Sequence, residues 1–327
     1  GGAALEVLEE AAKAAELPAV VRRLLMAAAA AATKYTKNYE KAGQIYAQLR
    51  KEGEEDVELD EATLDLLRAE GKFEQVIERL AAKAEGFESQ AARMAVVQEI
   101  ARTYNEDVKD FPKAFDYYAA CLQATDDDRE IVGILDKLAG RTERWADLAT
   151  TLTTAADAAE AAGNVPLSVF FYQKIGLIYL ERLDQTSYAL TCFQKVLEHE
   201  PKNVVALGAL ADLYRGAQQW SELADVGTRL AEAEQVPAKA RDRLAEAARI
   251  QYEKLSATKA ARALLERVLA EDPAHDAAGA LMMKILEDAK DWSKLAALTA
   301  TRVDAMPAGP ELVAARFKLG ELCEVRL

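Results

Sequence analysis

Histidine and cysteine are scarce in this chain, with two of one and three of the other in 327 residues. That scarcity excludes a disulfide-stapled framework, which needs a larger and paired set. It also leaves little from which to build a metal centre. His199 and His275 have no Cys, His or carboxylate at ligand spacing on one helix face. Long uncharged runs are missing as well: no 18-residue apolar stretch occurs, so no membrane insertion is expected. Aromatics make up 7% of the chain, and strand-forming runs of β-branched residues are few. Positive charge is in deficit, with 41 Lys and Arg against 55 Asp and Glu, a net charge of −14. Phosphate binding needs a basic stripe, so nucleic acid is not expected as a partner. The acidity is expected to form a solvated outer face. No Gly-rich phosphate loop, Gly-x-Ser-x-Gly or His-Glu-x-x-His motif occurs, and no nucleophile has a base in evident reach. The sequence therefore predicts no enzyme and no cofactor.

What the chain has is helix former and repetition. Hydrophobic residues reach 51%, dominated by Ala and Leu, with only 8 Pro. Phe73, Trp145, Trp220 and Trp292 stand 72, 75 and 72 residues apart. Each is followed three residues later by an aliphatic: Val76, Leu148, Leu223, Leu295. A second phrase keeps the period, with Ala42, Ala114, Ala189 and Ala261 each followed four residues on by Tyr46, Tyr118, Phe193 or Leu265. Prolines 18, 166, 237 and 310 mark a third phase. Self-similarity at a fixed period signals a repeat architecture, and each period here holds two helical hairpins.

The clearest copies lie between Phe171 and Leu223. Ile175-Gly176, Tyr179, Ala189, Phe193 and Pro201 form one hairpin, and Leu210-Ala211, Tyr214 and Trp220 the next. This pattern resembles the tetratricopeptide repeat (TPR), and the resemblance extends along the whole chain, most weakly before residue 60. Every second hairpin has Trp-x-x-Leu where that family usually has Tyr-x-x-Ala. The variant resembles the long repeat proteins of bacteria such as the gliding deltaproteobacteria. The resemblance implies an all-α, right-handed solenoid of about nine hairpins. It is expected as a single array, with double-hairpin units at about 1–72, 73–144, 145–219, 220–291 and 292–327. Neither end carries a polar capping helix, so the segment reads as part of a longer array whose ends could self-associate. It also carries no basic-then-apolar leader. The three cysteines read as small apolar residues in a reducing, cytoplasmic compartment.

Local features are expected to be structural. The acidic runs at 54–61 and 126–130 sit where helices begin and suit capping and the helix dipole. The Met26–Ala32 run suits close helix approach. Phe73, Trp145, Trp220 and Trp292 are expected as anchors between hairpins, and Tyr104, Tyr179, Tyr214 and Tyr252 as fillers within them.

The family presents partners to a concave surface lined by each hairpin's first helix, which implies a non-catalytic protein-interaction scaffold. On that surface Phe170, Gln173, Leu177 and Leu180 stand out as unusually apolar, with Val205, Asp212 and Arg215 from the next hairpin beside them. An apolar patch with a polar rim has the anatomy of a protein-binding hot spot. Family members that bind chaperone tails clamp a carboxylate with Lys and Asn. The matching positions here hold Gln98, Arg102, Gly133, Lys137, Gln173, Leu177, Gly208 and Asp212, so that use is not expected. The alternatives are an effector array for a small GTPase or a polarity or motility regulator, and a regulatory segment beside a catalytic domain.

Overall fold

A computed structural model describes residues 2–52, 56–122, 129–304 and 309–327. Its described residues form eighteen α-helices and no strand. In order these are α1 (Gly2–Ala14), α2 (Pro18–Ala31), α3 (Tyr39–Glu52), α4 (Val57–Glu70), α5 (Phe73–Glu85) and α6 (Gln90–Thr103). Then follow α7 (Phe111–Leu122), α8 (Arg129–Thr142), α9 (Trp145–Ala161), α10 (Val165–Glu181), α11 (Thr186–His199) and α12 (Val204–Gly216). The last six are α13 (Trp220–Ala233), α14 (Pro237–Glu253), α15 (Thr258–Glu271), α16 (Asp276–Asp288), α17 (Trp292–Asp304) and α18 (Pro310–Arg326). The chain folds as two compact units, Gly1–Thr151 and Leu152–Leu327, with the boundary inside α9.

Helix starts follow capping chemistry. Asp56, Ser89, Asn164, Asn203 and His275 each accept a hydrogen bond from a first-turn amide through the side chain. Pro18, Pro237 and Pro310 open their helices, where a missing N–H costs nothing. Asp56 belongs to the acidic run expected to cap. Residues 54 and 55 of that run, and 126–128 of the other, lie outside the described residues.

One backbone device makes every hairpin. Lys37, Gly71, Lys109, Glu143, Asp184, Gln218, Ser256 and Lys290 each have positive φ, one at each turn from a first helix to a second. Only one of the eight is glycine, so seven hairpins hold an ordinary side chain in the left-handed region. The return bonds sort the turns into two alternating kinds. After α4, α8, α12 and α16 the amides of Lys72, Arg144, Gln219 and Asp291 reach back to Leu67, Ala139, Tyr214 and Leu286, the Schellman closure. After α2, α6, α10 and α14 the amides of Asn38, Asp110, Gln185 and Ala257 reach one residue further, to Ala32, Tyr104, Tyr179 and Gln251. For α2 and α6 this wider closure carries a π-type turn, Ala32–Thr36 and Tyr104–Val108. Two kinds of turn in alternation are the physical content of the 72-residue period.

The cores are assembled where paired helices come closest. Ala28, Ala29 and Ala32 of the alanine run are fully buried against Ala42 and Tyr46. In the second unit, Gly176 lies directly beneath Phe193: a Cβ at 176 would stand 2.9 Å from two atoms of that ring. Ala189 and Phe193 are wholly buried. Gly279 admits a guanidinium instead. A Cβ there would overlap Arg302, which donates to the His275 carbonyl (3.0 Å) and to Asp276 (2.9 Å).

Phe73, Trp145, Trp220 and Trp292 are half-buried, with Trp292 packed against the core, and the fully or nearly buried positions are Val76, Leu148, Leu223 and Leu295. The aromatics lie at the first residue of each second helix, where one side faces solvent; Lys254 lies over Trp220 and Arg326 over Trp292. Leu5 packs into the core with Ala28 and Ala29, while Val7 is 64% exposed. Along α18, Val313, Phe317 and Val325 are exposed.

Candidate interaction groove

The return bonds fix which residues are equivalent, and with them the face that the first helices present. Clefts in the first unit lie between α2 and α4 and between α6 and α8, at matching positions. Met26, Ala30, Tyr46, Glu58, Ala62 and Asp65 line one; Gln98, Arg102, Tyr118, Glu130, Ile134 and Lys137 line the other. In the second unit the same positions fall on Gln173, Leu177, Phe193, Val205, Ala209 and Asp212 across α10 and α12. Across α14 and α16 they fall on Ala245, Arg249, Leu265, Ala277, Leu281 and Lys284.

Phe170, Gln173, Leu177 and Leu180 are all half-buried along α10. Phe170 tilts against Phe171, with ring centroids 5.6 Å apart. Leu180 and Asp212 line one cleft of about 630 Å³ together with Leu190 and Leu213. Val205 is 48% exposed at the start of α12. Asp212 and Arg215 pair with each other at 2.9 Å, one helical turn apart and both exposed. The apolar residues on α10 and the ion pair on α12 thus belong to neighbouring first helices. At the equivalent of Leu177 the other helices carry Ala30, Arg102 and Arg249; at the equivalent of Val205 they carry Glu58, Glu130 and Ala277.

Tyr104, Tyr179 and Tyr214 occupy the last-turn position whose carbonyl takes the return bond. Tyr104 stacks on Tyr117 (5.4 Å) and Tyr179 on Tyr188 (5.1 Å), while Tyr214 is buried and accepts from Gln194. Tyr252 departs from its expected place inside a hairpin. The return bond goes to Gln251, so Tyr252 is one residue out of phase, about 100° around the helix. Its hydroxyl donates to Asp288 and its ring lies under Lys284, so it bridges α14 to α16.

Sequence patterns did not show a polar cluster in the second unit. Glu160 on α9 accepts from the Tyr172 hydroxyl of α10 (2.8 Å) and from Lys195 of α11 (3.3 Å); His199 Nε2 stands 3.8 Å away. The Tyr172 hydroxyl also lies 3.2 Å from Asp157. Burial, and then the bond to Glu160, raises the Tyr172 pKa well above the usual tyrosine value. The bonds from Tyr172 and Lys195 hold the Glu160 carboxyl below the usual carboxylate range. Partners 12 and 35 residues apart share no short motif, so no sequence signal could join them.

The remaining candidates for chemistry have structural surroundings. His275 Nδ1 accepts from the Ala278 amide and Nε2 faces Asp242 at 3.1 Å. Cys121 is buried; burial raises the half-buried Cys192 thiol to about 11; Cys323 is exposed. Among the described residues no three His, Cys, Asp or Glu side chains converge as a metal site, and no helix is long and apolar enough to cross a membrane.

No protein-family model matches the chain, and no curated protein does. Solved structures do match. The C-terminal part of a TPR repeat-containing protein from Cytophaga hutchinsonii is 14% identical, with 77% of this chain and 98% of that one covered and a TM-score of 0.38. A tetratricopeptide repeat protein from Parabacteroides merdae is 17% identical, with 79% and 95% covered and a TM-score of 0.33. A signal-transduction ATPase with a tetratricopeptide repeat sensor from Pyrococcus horikoshii is 14% identical, with 98% and 53% covered and a TM-score of 0.35. With a left-handed turn between paired helices and, at α10–α11, Gly176 beneath Phe193 with buried Ala189 four residues before it, the described residues form an all-α repeat of helical hairpins similar in fold to these structures.

Proposed function

We propose that the chain is a non-catalytic protein-interaction scaffold, with its principal docking surface on α10 and α12. Phe170, Leu177, Leu180 and Val205 supply the apolar anchor, and Gln173, Asp212 and Arg215 its polar rim. The observation that carries this reading is a substitution at fixed geometry. Where α6 and α14 hold arginine, α10 holds Leu177, and where α4 and α8 carry Glu58 and Glu130 in the first turn, α12 holds Val205. A half-buried leucine thus stands at a position where two of the other three equivalent helices carry arginine. Covering such a patch is worth roughly 25 cal/mol for each Å² of apolar surface removed from water. Hot spots are apolar centres ringed by groups that exclude water, and these residues supply both kinds of group.

The test begins with selection of binders from a random peptide display library against the intact chain. Selected peptides should carry apolar anchors, and their affinity should fall at least about tenfold in the double variant Phe170→Ser, Leu177→Ser, or about 1.4 kcal/mol. Stability should fall well short of the ~3–5 kcal/mol expected for loss of a core aromatic such as Phe193. Unchanged affinity would place docking on another face. A stability loss equal to that of Phe193→Ala would assign these side chains to the core.

A further inference from the structure

The cleft between α6 and α8 inverts the charge of the molecule. Arg102, Lys137 and Arg141 face Glu106 and Glu130 across about 500 Å³, on a chain whose net charge is −14. Solubility explains the acidic excess of the surface and does not explain a cationic floor in a groove. One of the cations is held by a ring: the guanidinium of Arg141 lies 4.6 Å from the centroid of Phe111. Arg102 lines the cleft beside the buried Tyr118. Lys137 is exposed and makes no ion pair within the described residues. At the equivalent positions the α2–α4 cleft has Ala30, Asp65 and Ala69, and α10–α12 has Leu177, Asp212 and Gly216. In α14–α16 two cations recur, but Glu246 takes Arg249 and Tyr252 lies beneath Lys284. Among the described first-helix clefts, the α6–α8 set alone combines three cations, one of them ring-held, with one of the others a free ammonium.

We infer that this groove binds an acidic segment of a partner protein, a short stretch bearing two or three Asp or Glu side chains. Arginine held by a ring loses less freedom when it meets a carboxylate, and lysine adds a mobile point charge. Charges beyond about 8 Å are screened at physiological salt, so a short peptide senses the local cations, whereas a long polyanion would run over the acidic remainder. The site is separate from the apolar surface of α10 and α12, and the Phe170→Ser, Leu177→Ser variant should keep it.

The experiment uses the full chain and a labelled twelve-residue Asp/Glu-rich peptide, with its Asn/Gln counterpart as control, followed by fluorescence anisotropy at low and physiological salt. The acidic peptide should bind at least about tenfold more tightly than its neutral counterpart, and more weakly as salt rises. Lys137→Glu should weaken it at least about tenfold. Lys239→Glu, the same charge change on exposed α14, should alter it less than about twofold, and both variants should melt like the parent. Equal affinity for the neutral peptide, no saturable binding, or equal losses from the two variants would overturn the inference. So would displacement of the peptide by a single-stranded oligonucleotide at equal concentration, which would make the groove a general polyanion surface.

Discussion

Position 102 holds arginine and position 177 holds leucine at the same turn of two first helices, α6 and α10. Each helix closes through the same wide return bond, from Asp110 to Tyr104 in one and from Gln185 to Tyr179 in the other, although only α6 carries a π-type turn there. Below them lie Tyr118 and Phe193, which differ by one hydroxyl and are both buried. On the proposals above, the α6–α8 groove would attract a partner through cations, an attraction that is steep in salt and acts on encounter rate. The α10–α12 groove would attract through apolar area, which is insensitive to salt and acts on residence time.

The comparison is sharpened most by exchanging the two chemistries. Leu177→Arg with Leu180→Asn gives α10 the residues α6 carries at 102 and 105. Peptides selected for apolar anchors should lose about thirtyfold in affinity, roughly 2 kcal/mol. Helicity by circular dichroism should be unchanged, since the same residues sit on α6 without harm. Retained affinity would break the comparison, because the groove would then be reading something other than side-chain polarity.

A smaller effect separates the packing beneath the grooves. Gly176 and Ala101 are equivalent, the first under Phe193 and the second under Tyr118. A methyl at 176 must displace the Phe193 ring, and overpacking costs about 1–3 kcal/mol, partly offset by about 1 kcal/mol of helix propensity. Gly176→Ala should therefore lower stability by about 1 kcal/mol in urea unfolding, with protection lost first across α10 and α11. A variant as stable as the parent would show that the α10–α11 contact is as roomy as its counterpart in the first unit.

Hairpin count, helix type and most helix ends were legible before any coordinates, because alanine, leucine and the 72-residue phrase constrain them together. Eight complete hairpins flanked by α1 and α18 carry the phases read from Trp145, Trp220 and Ala189. Side-chain roles were less legible, and for physical reasons. A one-residue slip moves a side chain by about 100°, so Tyr252 could not be told from Tyr179 without the return bond to Gln251. The recurrent aromatics lie half-buried at helix starts, and the recurrent aliphatic three residues later is the more deeply buried position. Leu177 and Val205 stood out because the expected residue there was polar. Arg102 and Lys137 stand out in sequence only against a known clamp pattern, and their meeting with Tyr118 and Arg141 in one cleft is a tertiary fact. The Glu160 cluster joins three helices through residues that no local pattern relates.

That cluster supplies the smallest effect and a test of asymmetry between the units, for the residue equivalent to Tyr172 is Val97, which has no hydroxyl to offer. The Glu160 pKa is depressed, so the stability it adds is present above the ordinary carboxylate value of 4.5 and is lost as pH falls through its lower folded value. The Tyr172 pKa is raised, so its contribution is present below 10 and is lost as pH climbs beyond it. The two together hold α9 to α10 and α11 fully between about pH 5 and pH 10, the window between those two ordinary values. Tyr172→Phe should cost about 1 kcal/mol at neutral pH, the worth of one buried hydrogen bond. The difference in urea midpoint between parent and variant should shrink toward both ends of a titration from pH 3 to pH 11. Val97→Ala, the counterpart in the first unit, should give a difference that does not vary with pH. A pH-independent difference for Tyr172→Phe would mean that the hydroxyl only fills space between the helices and that the Glu160 contact contributes no electrostatic link.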